Sequence, residues 1–463
     1  MFFSKSVSER REMILNGDIF KTLLMLSIPT MLMALVQSLI PLSDGYFLNN
    51  YGGVLVAGAV TFSQPVINIL IGLSQGLGAA SMAIIGQYNG RNDTKRVKHF
   101  SLQILMFSLV IGVIIAPICV LIAFFLAKSV NPEVAPYIFK YLSLYSLVMP
   151  LLFLAAIFNA IKNAMGQPEA TFIRMIILLI LKIIFSVVFL KFYKLGIVGA
   201  VLASFCSYFI IAIWMVYDLF IKKSEMKLSL KNFKFDFIAI REVVHLAIPS
   251  MLSYMFVSLG FFLINMEVQG YGPKTLNAAG IASNINSLSF TIPSSISTTV
   301  TTMVSMNVGT SNGKKAKKVM YKGLLLAFIL SVIIVTFFYP GAPKLVNLFQ
   351  KNTNDPEIIK IATSALNVYT FSVFGFAPYM IVQGAFIGLG RTKAPLIMGV
   401  LRVWLFRFIF ILVFKARLGV KAVFWGNLFS NYMAAIVFLI AIQFIPWKSV
   451  ILDEEITKKK KKA

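Results

Sequence analysis

The chain has 463 residues, 58% hydrophobic and 13% charged, which is about half the charged share of a soluble domain. Most of it therefore belongs in lipid, and a disulfide-stapled secreted fold is excluded because Cys119 and Cys206 both fall in apolar stretches. The formal net charge of +26 makes nucleic acid a possible partner until the placement of the basic residues is considered. Apolar runs of about 20 residues are long enough to cross the hydrocarbon as helices. In chain order they predict spans over 20–48, 54–85, 100–127, 136–163, 170–191, 195–221, 243–270, 275–306, 320–340, 358–388, 394–415 and 419–446. Pro29, Pro41, Pro117 and Pro293 lie inside these spans; neighbouring helices can satisfy the freed backbone groups, so they predict bends. The first nineteen residues are polar and basic and the first apolar run is too long for a signal-peptide core, so it is expected to remain as the first span.

Basic residues cluster in alternate connections: Lys5, Arg10 and Arg11; Arg91, Lys95, Arg96 and Lys98; Lys222 to Lys234; Lys314 to Lys318; Arg391 and Lys393; and the run Lys458–Lys462. The opposite connections, such as 49–53 and 271–274, are short and almost free of Lys and Arg. This is the positive-inside pattern, which predicts cytoplasmic termini and an even number of spans. The basic groups are dispersed on one membrane face without interleaved aromatics, which argues against nucleic-acid binding. The Lys458–Lys462 run reads either as a contact for anionic lipid headgroups or as a solvated tail that fixes topology.

The sequence repeats at a spacing of roughly 220 residues, the mark of duplicated transporter halves. LAIPSMLSYMF at 246–256 echoes LSIPTMLMALV at 26–36; NAMGQPEA at 163–170 echoes GLGRTKAP at 388–395; LGVKAVF at 418–424 echoes LGIVGAV at 195–201. Paired segments enter from the same side, so the halves are expected as parallel repeats: an N-lobe over 1–221, a linker over 222–240, a C-lobe over 241–447 and a basic tail over 448–463. The fold class is an all-α polytopic membrane protein of two pseudo-symmetric six-helix lobes, with substrate expected in the cleft between them.

The chain resembles the multidrug and toxic compound extrusion (MATE) family over nearly all of 17–448. The likeness is carried by SIPTML at 27–32, SDGYFLNNYG at 43–52, GQYNGRND at 86–93, INMEVQGYG at 264–272, NVGTSNGKKAKK at 307–318 and GLGRTK at 388–393, in that order and spacing. LRVWLFR at 401–407 resembles the bacterial branch named for a damage-inducible protein. The resemblance implies a cation-coupled antiporter in the bacterial plasma membrane that expels varied organic compounds and needs no cofactor beyond a transported proton or sodium ion, and nothing in the sequence demands more than a monomer.

Asp44 is the lone acid of the first span. A carboxylate inside the bilayer costs at least about 2.5–3.5 kcal/mol and is normally functional or paired. It also falls at the position of the family's coupling acid. Where some members place Asn, Asp and Thr as cation ligands, this chain has Lys182, Ser186 and Ser204. Lys182 is therefore expected to act as a built-in counter-ion to Asp44 or, alternatively, to snorkel to an interface. Gln37, Gln64, Asn68 and Asn159 are expected to line the cleft or to bond between helices.

Asn265 and Glu267 fall near a helix end, away from the deeper position around Val257 where some members carry an acid. Arg402 and Arg407, five apart, are expected on different sides of an α-helix, one of them facing the cleft. Together with Arg174 and Lys182 they make the interior basic, which keeps a flippase for an anionic, lipid-linked substrate in view. The two histidines, His99 and His245, form no catalytic or metal spacing, so an intramembrane enzyme is not expected.

Overall fold

The computed structural model describes residues 6–128, 132–349 and 355–451, and among them there is no strand. Residues 129–131 and 350–354, and the Lys458–Lys462 run with the rest of the tail, lie outside the described residues. The helices are α1 Val7–Asn16, α2 Ile19–Phe47, α3 Val54–Gly90, α4 Thr94–Lys128, α5 Ala135–Tyr145, α6 Met149–Ala164, α7 Pro168–Ser186 and α8 Gly196–Val216. They continue as α9 Phe237–Gln269, α10 Pro273–Gly309, α11 Gly313–Phe349, α12 Pro356–Phe371, α13 Val373–Gly388, α14 Lys393–Val400, α15 Ile409–Leu418 and α16 Lys421–Ala441.

Among the described residues ten helical runs are long and apolar enough to cross a membrane, and α12 with α13, bent by 46° at Ser372, makes an eleventh. α10 spans 37 residues but is rich in hydroxyls, which is why hydropathy alone underrates it. Its Ser294, Ser295, Thr298 and Thr302 donate to carbonyls four residues back, so the hydroxyls need no water. The helix runs on through Pro293, as α4 does through Pro117. One element had no counterpart in the apolar pattern: α1, a short polar helix ahead of the first span.

Packing divides the described chain into two compact units, one of residues up to Glu12 with Leu32–Met251, the other of Met13–Met31 with residues from Leu252 onward. Each unit thus takes one portion of α2 and one portion of α9. The first unit packs α6 against α3 and α4, and α7 against α8. Its stretch 222–236 is tied down by side chains of α4: Gln103 Nε2 donates to the Lys234 carbonyl (2.7 Å) and His99 Nε2 lies 3.0 Å from Asp236 Oδ2. Asp236 also accepts from the Ala239 and Ile238 amides at the start of α9. Slight burial raises this carboxyl, but the Ala239 amide and His99 outweigh it and hold the group below its usual range.

In the second unit α10 is central, packed on α11, α12 and α13, and α13 packs on α16. The approach of α13 to α16 depends on Gly375, where an added Cβ would lie 2.6 Å from the Tyr432 amide nitrogen and 2.7 Å from the Asn431 carbonyl carbon. Backbone cannot swing aside as a side-chain tip can, so Gly375→Val must separate the helices. It is expected to cost at least about 1–3 kcal/mol, read as a lowered unfolding temperature of the detergent-purified protein.

Candidate functional site

In the first unit, α2 carries Asp44 into its last turn, just before a π-helical segment, Leu48–Gly52. α7 presents Lys182 and Ser186 one turn apart on one face, and α8 presents Ser204. Lys182 Nζ donates to Asp44 Oδ2 at 2.5 Å. The lysine side chain is 6% exposed and the aspartate 32%, so the ammonium is buried behind a carboxylate that is partly open. A small recess adjoins the pair, lined by Asp44, Leu48, Tyr141, Ser186, Leu190, Ala200 and Ser204. Ser204 donates to the Ala200 carbonyl (3.2 Å), leaving its oxygen lone pairs as acceptors.

The charge of Asp44 reaches the buried phenols Tyr141 and Tyr145 and the half-buried Tyr208, which also feels Lys182 and Arg174. Arg174, 2% exposed, donates through Nε to Asn159 Oδ1 (3.0 Å), while its Nη1 is buried without a partner. Asp44, Lys182, Ser186 and Ser204 are thus gathered in one place, and Asn159 is bonded to Arg174. Gln37 and Asn68 are exposed and Gln64 partly so, and none of the three lines this recess. Tyr141 was not singled out by sequence; the available signal was its spacing of four from Tyr145, with the rings 5.6 Å apart.

The second unit holds a different arrangement. Residues Leu401–Phe408 form a π-helix, whose i→i+5 bonding stacks residues five apart. The expectation that Arg402 and Arg407 point to different sides assumed α geometry, in which they would diverge by about 140°; it is corrected by this segment. Both guanidiniums flank the Phe261 ring, at 6.0 and 5.3 Å. Arg402 also lies 4.8 Å from the Tyr379 ring and donates to Asn431 Oδ1 (3.1 Å), while the Tyr369 hydroxyl lies near Arg407. Glu267 is occupied elsewhere, by Lys415 at 3.0 Å. Among the described residues no group of His, Cys, Asp and Glu could hold a metal ion.

The Lys182–Asp44 pair is set among helices long and apolar enough to cross a membrane, the arrangement of a multi-pass membrane protein. The MatE family model matches residues 29–188 and 249–413, and the chain belongs to this family. It is 22% identical over 452 residues to the probable multidrug resistance protein YpnP of Bacillus subtilis, covering 95% of this chain and 98% of that one. It is 21% identical over 440 residues to the multidrug export protein MepA of Staphylococcus saprophyticus, covering 93% and 95%.

Among solved structures, a MATE protein in complex with MaL6 superposes with a TM-score of 0.89 at 24% identity, covering 95% of this chain and 98% of that one. A MOP superfamily transporter from Pyrococcus furiosus, described as having a binding pocket of reverse polarity that suggests a different function, gives 0.88 at 24% identity, covering 94% and 97%. These likenesses establish the fold, a two-repeat all-α membrane protein.

Proposed function

We propose that the protein is an antiporter of a bacterial plasma membrane, with both termini cytoplasmic, that exports small organic compounds in exchange for protons by alternating access. The observation that carries this reading is the Lys182–Asp44 pair facing its recess. Protonating Asp44 removes the negative charge that offsets the buried ammonium, so occupancy by a proton changes the local balance of charge and the helix arrangement that best suits it. Lys182 already occupies Asp44 Oδ2, which disfavours sodium as the exchanged ion. The names of the relatives, a multidrug resistance protein and a multidrug export protein, support drug-like substrates.

A second reading, an exporter or flippase of an anionic or lipid-linked substrate, is favoured by the buried guanidiniums of Arg174, Arg402 and Arg407. The test is flux of a fluorescent organic cation in proteoliposomes. A pH gradient imposed without sodium is expected to drive accumulation against the dye gradient, and a sodium gradient at equal pH is expected to drive none. Flux under sodium alone would overturn proton coupling, and no flux of this cation under either gradient would favour the second reading.

A further inference from the structure

In the first repeat the buried cation has its acid. The pairing of 163–170 with 388–395 sets Lys182 opposite Arg407, and the pairing of 26–36 with 246–256 sets Asp44 opposite Ile264. The second repeat therefore keeps the cation and replaces its carboxylate with a buried hydrocarbon, Ile264 being 2% exposed. Arg402 adds a second guanidinium close enough to repel Arg407. The two are 6% and 7% exposed, and among the described residues neither has a carboxylate within salt-bridge distance.

Partial compensation comes from the ring faces of Tyr379, Phe376 and Phe261 and from Asn431, whose amide is in turn fixed by Asn427 at 3.0 Å. The Nε–H of both arginines is buried with no acceptor. Two forks with open donors on one face of a π-helix, walled by aromatic rings, are short of one thing: an oxyanion.

We infer that Arg402 and Arg407, with Asn431 and the rings of Phe261 and Tyr379, form a binding site in the second unit for the carboxylate, sulfonate or phosphate of an amphipathic molecule. The oxyanion accepts from the guanidiniums and the apolar body lies against the rings. The inference rests on the reading of the chain as an exporter and names a substrate class for it, acids with an aromatic or acyl body.

The test is equilibrium binding of radiolabelled 2-naphthoate to the full-length protein in phosphatidylcholine nanodiscs, beside the neutral isostere 2-naphthamide. Wild type is expected to bind the carboxylate roughly tenfold or more tightly than the amide, the worth of one hydrogen bond to a charged group. Arg402→Gln and Arg407→Gln should each remove that preference. Arg407→Lys, which keeps the charge but not the fork, should retain part of it.

Nanodiscs containing phosphatidylglycerol distinguish the sources of the anion. Displacement of naphthoate by that lipid assigns the site to a headgroup phosphate, and unchanged affinity assigns it to a soluble acid; both outcomes uphold the site. Equal binding of naphthoate and naphthamide to wild type overturns it, as does undiminished preference in either glutamine variant. The wild-type comparison stands even where a variant fails to fold. Binding at equilibrium needs no gradient or turnover, so a protein that moves no dye can still prefer the carboxylate, and failure of the exporter reading is distinguishable from failure of the site.

Discussion

Asp44→Asn is expected to abolish gradient-driven transport and to lower the unfolding temperature, while Asp44→Asn with Lys182→Met recovers most of the stability and none of the transport. Removing one partner of a buried ion pair leaves the other charge unmatched, at a cost of about 3–5 kcal/mol where both are fully buried. Here the aspartate side chain is 32% exposed and the lysine 6%. Loss of the aspartate strands the more deeply buried charge, so Asp44→Asn should be the more damaging single change, with a cost near the low end of that range. Lys182→Met leaves a carboxylate that the recess can still hydrate, and it fits an apolar chain into the space of the lysine stem.

The double replacement removes both charges and with them the conflict. Unfolding of the four proteins in detergent, with dye flux in proteoliposomes, completes the cycle. Additive stability losses would show that the pair is not coupled. Retained pH-driven transport in Asp44→Asn would end its assignment as the coupling acid.

Arg10→Ala is the second large effect expected. Arg10 is wholly buried although it sits on α1, outside the spans. Its two terminal nitrogens grip Glu169 (2.7 and 3.2 Å), and Nη1 also donates to the Gly166 carbonyl (3.1 Å). Burial pulls the guanidinium below its ordinary value while Glu169 pushes it back up, and the buried charge is matched by that carboxylate. Truncation would leave Glu169, 7% exposed, facing a cavity without its counter-charge, a loss of about 3–5 kcal/mol.

Arg10→Met with Glu169→Gln should lie much closer to wild type, since a neutral pair of similar volume removes the stranded charge. Thermal unfolding of wild type and the two variants, with trypsin cleavage of the N-terminal segment, reads the result. Equal unfolding temperatures for wild type and Arg10→Ala would show that this pair does not hold α1.

The spans, the repeat and the neighbourhood of Asp44 were legible because each leaves a one-dimensional trace. Lipid demands long apolar runs, duplication leaves matching segments, and an acid in an apolar run stands out. Lys182, Ser186 and Ser204 followed only because the family resemblance aligned them; nothing in their spacing says that they share a recess with α2. α1 was invisible to hydropathy because it is short and polar overall, and its buried face sets the ion-paired Arg10 between only two apolar residues, Val7 and Ile14. The relation of Arg402 to Arg407 was misread because periodicity assumes 3.6 residues per turn, and nothing in LRVWLFR announces a change of bonding pattern.

That segment also gives the second unit a particular vulnerability to length change. A π-helical stretch behaves as an α-helix carrying one surplus residue. Deleting a single residue between Arg402 and Arg407 would let Leu401–Phe408 relax to ordinary bonding while leaving the chain apolar and helical. The two arginines would then be four apart and still roughly facing one way, but everything from α15 onward would be drawn toward them by about 1.5 Å and turned by about 100°. The seam of α16 against this segment would have to be rebuilt, so homologues one residue shorter here should differ in their α16 face as well.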